Sequence, residues 1–259
     1  TPLTYIALSP TNKGALLISG STIHSYYYKY KSNKKKITDI LQKTDYIFID
    51  EISMMETKFY QLLLNFKMMK PKLKFILIGD YDQLEPVDDF YKGDYSNSQA
   101  IYELASANKI YLTICRRSDD KLYNLCKMVK NGIHIDTSQF KYKHFTYKNI
   151  AYTNKTRKEI NDICMTRFTT DKEFLFVSKN DKSEKSQDMK LCIDTPVLCY
   201  ITNKKLSIFN NQQFKIKSID DDKIILDNNI EIKTDQFKYY FIPAFCVTIH
   251  ASQGETIHE

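Results

Sequence analysis

"DYIFIDEISM" (45–54) and "KFILIGDYDQL" (74–84) each carry an unbroken run of Ile, Leu, Phe and Tyr that ends in polar punctuation. Continuous apolar character over about five residues reads as a strand buried on both faces, the mark of a parallel sheet. Between them lies "METKFYQLLLNFKMMKP" (55–71), in which Phe59, Leu62, Leu63 and Phe66 fall at helical spacing and Pro71 stops the helix. Strand, helix, strand is a βαβ unit, and ligands in such sheets gather at the carboxyl ends of the strands. The Asp50-Glu51 and Gly79-Asp80 pairs fall at those ends.

The pattern extends outward in both directions. "TYIALSPTNKG" (4–14) reads as another buried strand, and "KIYLTI" (109–114) as a fourth. The fourth leads into a helix capped by Ser118, with Leu122, Leu125, Cys126 and Val129 on one face and Gly132 as its stop. A second α/β region opens with a strand at 149–153 and a helix carrying Ile160, Ile163 and Cys164 on one side. After residue 170 the character changes to short β-like runs joined by Asp/Asn turns, so 171–240 reads as a small inserted β domain. "FIPAFCVTI" (241–249) returns the chain to an α/β strand.

The chain has 259 residues, 42% of them hydrophobic, enough for one large domain or two modest ones. A net charge of +7 suits a polyanion such as nucleic acid, although charge alone fits a bland basic protein equally well. The six cysteines form no C-x-x-C pair and no cluster with histidine, which argues against a zinc site or a disulfide framework. No apolar run approaches the ~20 residues that cross a bilayer, and the expected setting is intracellular, in nucleus, cytoplasm or a viral replication site, without membrane attachment.

Two strand ends carry chemistry. Nucleotide hydrolysis needs one carboxylate to hold Mg²⁺ and another to deprotonate the attacking water, and Asp50 and Glu51 fit those roles. Gln83 is a neutral amide that can bond a γ-phosphate without competing for the metal. Taken singly, an adjacent acid pair is more often a solvated strand end, and a Gly-Asp turn more often an ordinary turn.

Order raises the specificity. "LSPTNKGALLISGSTIHSYY" (8–27), "IFIDEISM" (47–54), "LIGDYDQLEPV" (77–87), "LTICRRSDD" (112–120) and "CVTIHASQGETI" (246–257) resemble, in sequence, five ordered motifs of superfamily 1 DNA helicases of the RecD-like and PIF-like 5′-to-3′ branch. "IAYTNKTRKEIN" (150–161) and "DTPVLCYITNKKLSIFNNQQFKI" (194–216) are similar to the same branch. The resemblance implies an α/β fold of two RecA-like parallel-sheet domains with ATP between them and an inserted small β-barrel. The first would take 1–114, the second 115–170 and 241–259, and the insert 171–240.

It further implies ATP and Mg²⁺ as cofactors, single-stranded and forked duplex DNA as partners, and replication or repair proteins as associates. Asp50 would hold the metal, Glu51 would activate water, Gln83 would sense the γ-phosphate and Arg116 would reach it as a finger, with Gly254 also beside the nucleotide. Arg117 stands next to Arg116 and the two could exchange roles. Thr11, Thr22, His24, Thr248, His250, Ser252 and Gln253 would face DNA, where hydroxyls and imidazoles bond phosphate oxygens. Thr-Ile-His occurs at 22–24, 248–250 and 256–258; the first two copies lie in DNA-facing motifs and the third matches nothing.

Departures accompany the matches. Ala251 stands where the family usually has Lys, and G-x-x-x-x-G-K-[ST] is absent from the 259 residues. In the family that loop precedes the "SPTNKG" strand and the last motif follows "TIHASQG", so these residues are expected to be the interior of a longer motor and not to hydrolyse ATP well alone. The rival expectation is a catalytically inactive nucleic-acid scaffold that retains the fold. Tyr26, Tyr27, Tyr28 and Tyr30 interleave with Lys29, Lys31 and Lys34–Lys36, which suits either stacked bases or a basic surface whose tyrosines pack inward.

Overall fold

Strand β1 (Tyr5–Ser9) runs parallel to β3 (Tyr46–Ile49), pairing Tyr5 with Tyr46 and Leu8 with Ile49. Helix α1 (Asn12–Leu17) and the two-residue strand β2 (Ser21–Thr22) follow β1, and α2 (Ile23–Ser32) and α3 (Lys34–Gln42) lead on to β3. Helix α4 (Thr57–Met69) then crosses to β4 (Lys74–Leu77), giving a parallel sheet of order β2-β1-β3-β4. The computed structural model describes residues 3–86, 89, 94–116, 118–136, 138 and 146–253. They fall in two compact units, Thr1–Thr137 and Ser138–Glu259.

The first unit is built as the apolar spacing requires. Helix α4 buries Phe59, Tyr60, Leu62, Leu63 and Phe66 against Leu8, Ile47, Ile49, Ile37 and Leu41. Each such side chain is worth about 1.5–3 kcal/mol when fully withdrawn from water. The tyrosines of α2 take the inward alternative: Tyr26, Tyr27 and Tyr30 pack on this core, and Tyr28 is the exposed member. Lysines 29, 31 and 34 lie over the faces of Tyr26, Tyr27 and Tyr30.

The unit ends with α5 (Gln99–Leu104) and α6 (Asp120–Lys130). The strand expected at 109–114 does not form; the segment has no regular secondary structure, and Ile110, Tyr111, Leu112 and Ile114 are exposed. Ser118 is not the helix cap. Asp119 fills that position, its carboxylate accepting from the Leu122 N–H at 2.7 Å, because a charged oxygen competes better for the open N–H groups. Gly132 closes the helix at φ +66°, a conformation that glycine adopts without steric cost.

In the second unit β5 (Asn149–Ala151) leads into α7 (Asn154–Phe168), then β6 (Leu175–Val177) and β7 (Met189–Leu191) form an antiparallel pair. Strands β8 (Pro196–Cys199), β9 (Gln213–Ile219), β10 (Lys223–Leu226) and β11 (Glu231–Lys233) meander, short α8 (Thr234–Phe237) turns the chain, and β12 (Phe241–Pro243) completes an antiparallel sheet of order β11-β10-β9-β8-β12. Strand β13 (Cys246–Thr248) pairs parallel with β5, and α9 (Ile249–Ser252) follows. The single strand expected at 241–249 is therefore two strands serving two sheets. Pro243 sits at the end of the edge strand β12, where a missing N–H costs no ladder bond.

One apolar cluster joins Ile160, Cys164 and Met165 of α7 to Val197, Phe214, Ile216, Ile224 and Phe241 of the antiparallel sheet. The Asn161 amide locks α7 to β13: its oxygen accepts from the Cys246 N–H at 2.8 Å and its nitrogen donates to the Cys246 carbonyl at 3.0 Å. Arg157, only 1% exposed, donates to the Lys185 carbonyl (2.6 Å), Asn154 (3.2 Å) and Gln187 (3.3 Å). Burial among these neutral acceptors lowers its pKa.

Candidate functional site

The acid pair emerges where β3 ends. The Asp50 N–H donates to the Leu8 carbonyl at 3.0 Å, which keeps Asp50 in line with β1, and its Oδ1 accepts from the Glu51 N–H at 3.1 Å. Glu51 is held at φ +58°, the left-handed region, which for a non-glycine residue costs about 1–3 kcal/mol and is retained where surroundings enforce it. A short 3₁₀ turn at Ile52–Met54 follows. Ser53 in that turn is buried, and its hydroxyl has no hydrogen-bond partner among the described residues.

The loop after β4 is fastened to this turn. Ile78 N–H donates to Ile49 O at 2.8 Å and Ile52 N–H donates back to Ile78 O at 3.0 Å. Gly79 lies so close that a Cβ would stand 2.8 Å from the Ile52 nitrogen, so no larger residue fits without displacing backbone. Asp80 then organises the loop, accepting from the Asp82 N–H at 3.0 Å and from the Gln83 amide at 3.4 Å. The structure thus brings the acid pair and the Gln83 loop to adjacent strand ends. Arg116 lies exposed in the irregular segment before α6, and Arg117 lies outside the described residues.

A buried polar cluster supports the acid turn from below, and nothing in the apolar spacing announces it. Tyr60, on α4, bonds the Ile52 carbonyl (2.8 Å) and the Tyr81 hydroxyl (3.1 Å), and its ring stacks on Tyr95 at 5.0 Å. Buried Asp89 accepts from the Thr57 N–H at 3.0 Å, capping α4 from a distant part of the chain.

The DNA-facing candidates share a local design. Thr22 and Thr248 each end a strand and stand at the N-cap position of the next helix, so both Thr-Ile-His copies occupy strand-to-helix turns. Thr22 uses its hydroxyl, accepting from Ser25 N–H at 3.3 Å, as Thr11 accepts from Gly14 N–H at 3.0 Å; Thr248 makes no side-chain cap bond. His24 Nε2 is 3.4 Å from Glu56, and its ring meets Phe59 edge-on at 4.5 Å. Desolvation by this packing lowers its pKa below the ordinary 6.5, against the opposing pull of Glu56. His250 is exposed. The Ser252 hydroxyl donates to the Ile249 carbonyl at 2.8 Å, and the Gln253 amide is buried with no partner among the described residues. Gly254 and the third triplet lie outside the described residues.

The AAA domain model (AAA_19) matches residues 4–89, the stretch that carries the parallel sheet with the acid pair and the Gln83 loop at its strand ends. The ATP-dependent DNA helicase Pif1 of Campylobacter jejuni subsp. jejuni serotype O:2 is 21% identical over 336 residues, covering 98% of this chain and 75% of that protein. The Pif1 of Bdellovibrio bacteriovorus is 26% identical over 135 residues, 45% of this chain and 31% of its own. In fold, the chain is similar to a Pif1 helicase solved for DNA unwinding at forked dsDNA (TM-score 0.69, 19% identity, 100% of this chain and 75% of the other). It is also similar to Bacteroides Pif1 in complex with ADP-AlF3 and ssDNA (0.62, 19%, 98% and 75%) and to Candida albicans Pif1 (0.61, 17%, 97% and 76%). The similarity to Pif1 helicases thus runs over nearly the whole of this chain in sequence and in fold, and over three quarters of those proteins.

Proposed function

We propose that the chain is the motor portion of an ATP-dependent DNA helicase that moves 5′-to-3′ along single-stranded DNA and opens duplex ahead of it. The supporting observation is the fastening of two strand ends, Asp50-Glu51 and Gly79–Gln83, through the paired Ile52 and Ile78 backbones. In this account the second RecA-like domain takes 115–170 and 241–259, and 171–240 is a barrel-like insert.

Glu51 accepts a proton from water; the resulting hydroxide oxygen attacks the γ-phosphorus, and the bond to the β,γ-bridging oxygen breaks to release ADP. Gln83 bonds the γ-phosphate through its amide. Arg116 meets charge that develops on the γ-oxygens. The donor set suits Mg²⁺: magnesium takes one or two carboxylates and completes its shell with water and phosphate, and Asp50 offers one half-buried carboxylate of which one oxygen is already oriented by the Glu51 N–H. No cluster of three or more His, Cys, Asp or Glu suited to an all-protein metal cage occurs among the described residues.

Thr11, Thr22, Thr248, His250, Ser252 and Gln253 contribute DNA-facing strand ends in the two units, with His24 holding its turn in place. The test is unwinding by the full-length protein of forked duplexes with a single 5′ or a single 3′ tail, with ATP consumption followed in parallel. ATP-dependent opening confined to the 5′-tailed substrate is expected. DNA binding without ATP hydrolysis would replace the motor by a nucleic-acid clamp.

A further inference from the structure

The geometry points to Tyr60 as a positioning residue that sets the register of Gln83 against Glu51, an assignment that rests on the motor reading above. Tyr60 is 3% exposed and belongs to the crossover helix, not to either strand-end loop. Its hydroxyl has a single proton. The Ile52 carbonyl, at 2.8 Å, can only accept, so that proton goes to Ile52, and the Tyr81 hydroxyl at 3.1 Å must donate to the Tyr60 oxygen. The result is a directed chain, Tyr81 to Tyr60 to Ile52, running from the loop of Gln83 to the residue that follows Glu51.

The post that carries this chain is stiff. The Tyr60 ring lies parallel to Tyr95 at 16°, Tyr95 bonds Asp89, and Asp89 grips the first turn of α4 through Thr57. Burial raises the phenol of Tyr60 far above its ordinary value, in keeping with a hydroxyl that stays protonated. The other fastening, between Ile52 and Ile78, fixes only where the two loops begin; Tyr81 lies two residues before Gln83, so the phenol pair fixes where the amide ends. A phosphate sensor and a water-activating carboxylate act together only when their separation is set, and an error of about 1 Å in such an arrangement costs up to about a hundredfold in rate.

The experiment compares Tyr60→Phe, Gln83→Ala and the double variant in the full-length protein, in steady-state ATPase with saturating oligonucleotide. Tyr60→Phe keeps the ring and removes the chain, so kcat is expected to fall about tenfold with KM for ATP little changed. Affinity for ADP should hold while affinity for ADP with aluminium fluoride falls, because only the latter needs sensor and carboxylate in register. Tyr60 acts through Gln83, so the double variant should be no slower than Gln83→Ala alone. Tyr81→Phe cuts the same chain from the loop side and serves if Tyr60→Phe unfolds. Parental kcat in both Phe variants, or losses that multiply in the double variant, would overturn the assignment. A parent protein without DNA-stimulated ATPase would instead overturn the motor reading and this inference with it.

Discussion

Thr22-Ile23-His24 and Thr248-Ile249-His250 spell the same triplet at the same kind of turn, yet the two units use it differently. In the first unit Ile23 is fully buried, Thr22 caps its helix and His24 is spent on Glu56 and the ring of Phe59. In the second, Ile249 is half-buried, Thr248 makes no cap bond and His250 faces solvent. The shared letters encode a turn, and the packing around each turn decides whether its polar groups hold the fold or remain available to a ligand. The first copy is wired to the helix that follows the acid pair; the second stands open beside a two-stranded sheet.

The largest expected effect comes from removing what holds the first copy. Phe59→Ala should destabilise the first unit by about 3–5 kcal/mol, the usual range for losing a buried aromatic ring, and should loosen His24 with it. Thermal and denaturant unfolding would show this, and a loss under about 1 kcal/mol would mean that the ring is not the anchor. The caps give a smaller contrast. Thr22→Ala should cost about 1 kcal/mol of stability, whereas Thr248→Ala should stay within about 0.5 kcal/mol, since no bond is lost. Equal costs would erase the distinction between the turns.

The histidines sharpen it from the side of binding. His250→Ala should weaken single-stranded DNA binding by up to about 1 kcal/mol, the worth of one hydrogen bond, with an unchanged melting profile. His24→Ala should act chiefly on stability. Fluorescence anisotropy over a salt series, beside melting curves, separates the two, and identical behaviour of both variants would contradict the comparison. The pH response is the finest probe. Folding depresses the His24 pKa below 6.5, so under acid conditions the unfolded chain binds the extra proton first. Stability of the first unit should therefore decline as pH falls through 6.5 toward the lower folded value, and His24→Gln should flatten that decline.

Much of this was legible in the residues. The βαβ core follows from two apolar runs, a helical stripe ending before Pro71, and acids at the strand ends, all local signals that tertiary structure had no reason to override. "FIPAFCVTI" misled because an uninterrupted apolar run carries no mark of the change of sheet between Pro243 and Cys246. "KIYLTI" misled in the opposite way, since β propensity supplies no pairing partner. Ser118 and Asp119 are both good caps, and spacing alone could not choose between them. The partners of His24 and Tyr60 come from as far as 35 positions away in sequence, beyond the reach of any local pattern. Arg157 is buried because α7 turns that side toward the Lys185–Gln187 loop, which the spacing within the helix does not reveal.

The central claim is that the acid pair at the end of β3 drives hydrolysis, and one substitution tests it most directly. Glu51→Gln keeps the size and shape of the side chain and removes its ability to take a proton. In the full-length protein, with saturating single-stranded DNA, turnover should fall by roughly 10²–10⁴ while affinities for nucleotide and DNA are preserved. Turnover equal to the parent's under those conditions would contradict the account, leaving Asp50 and Glu51 as the solvated end of a strand.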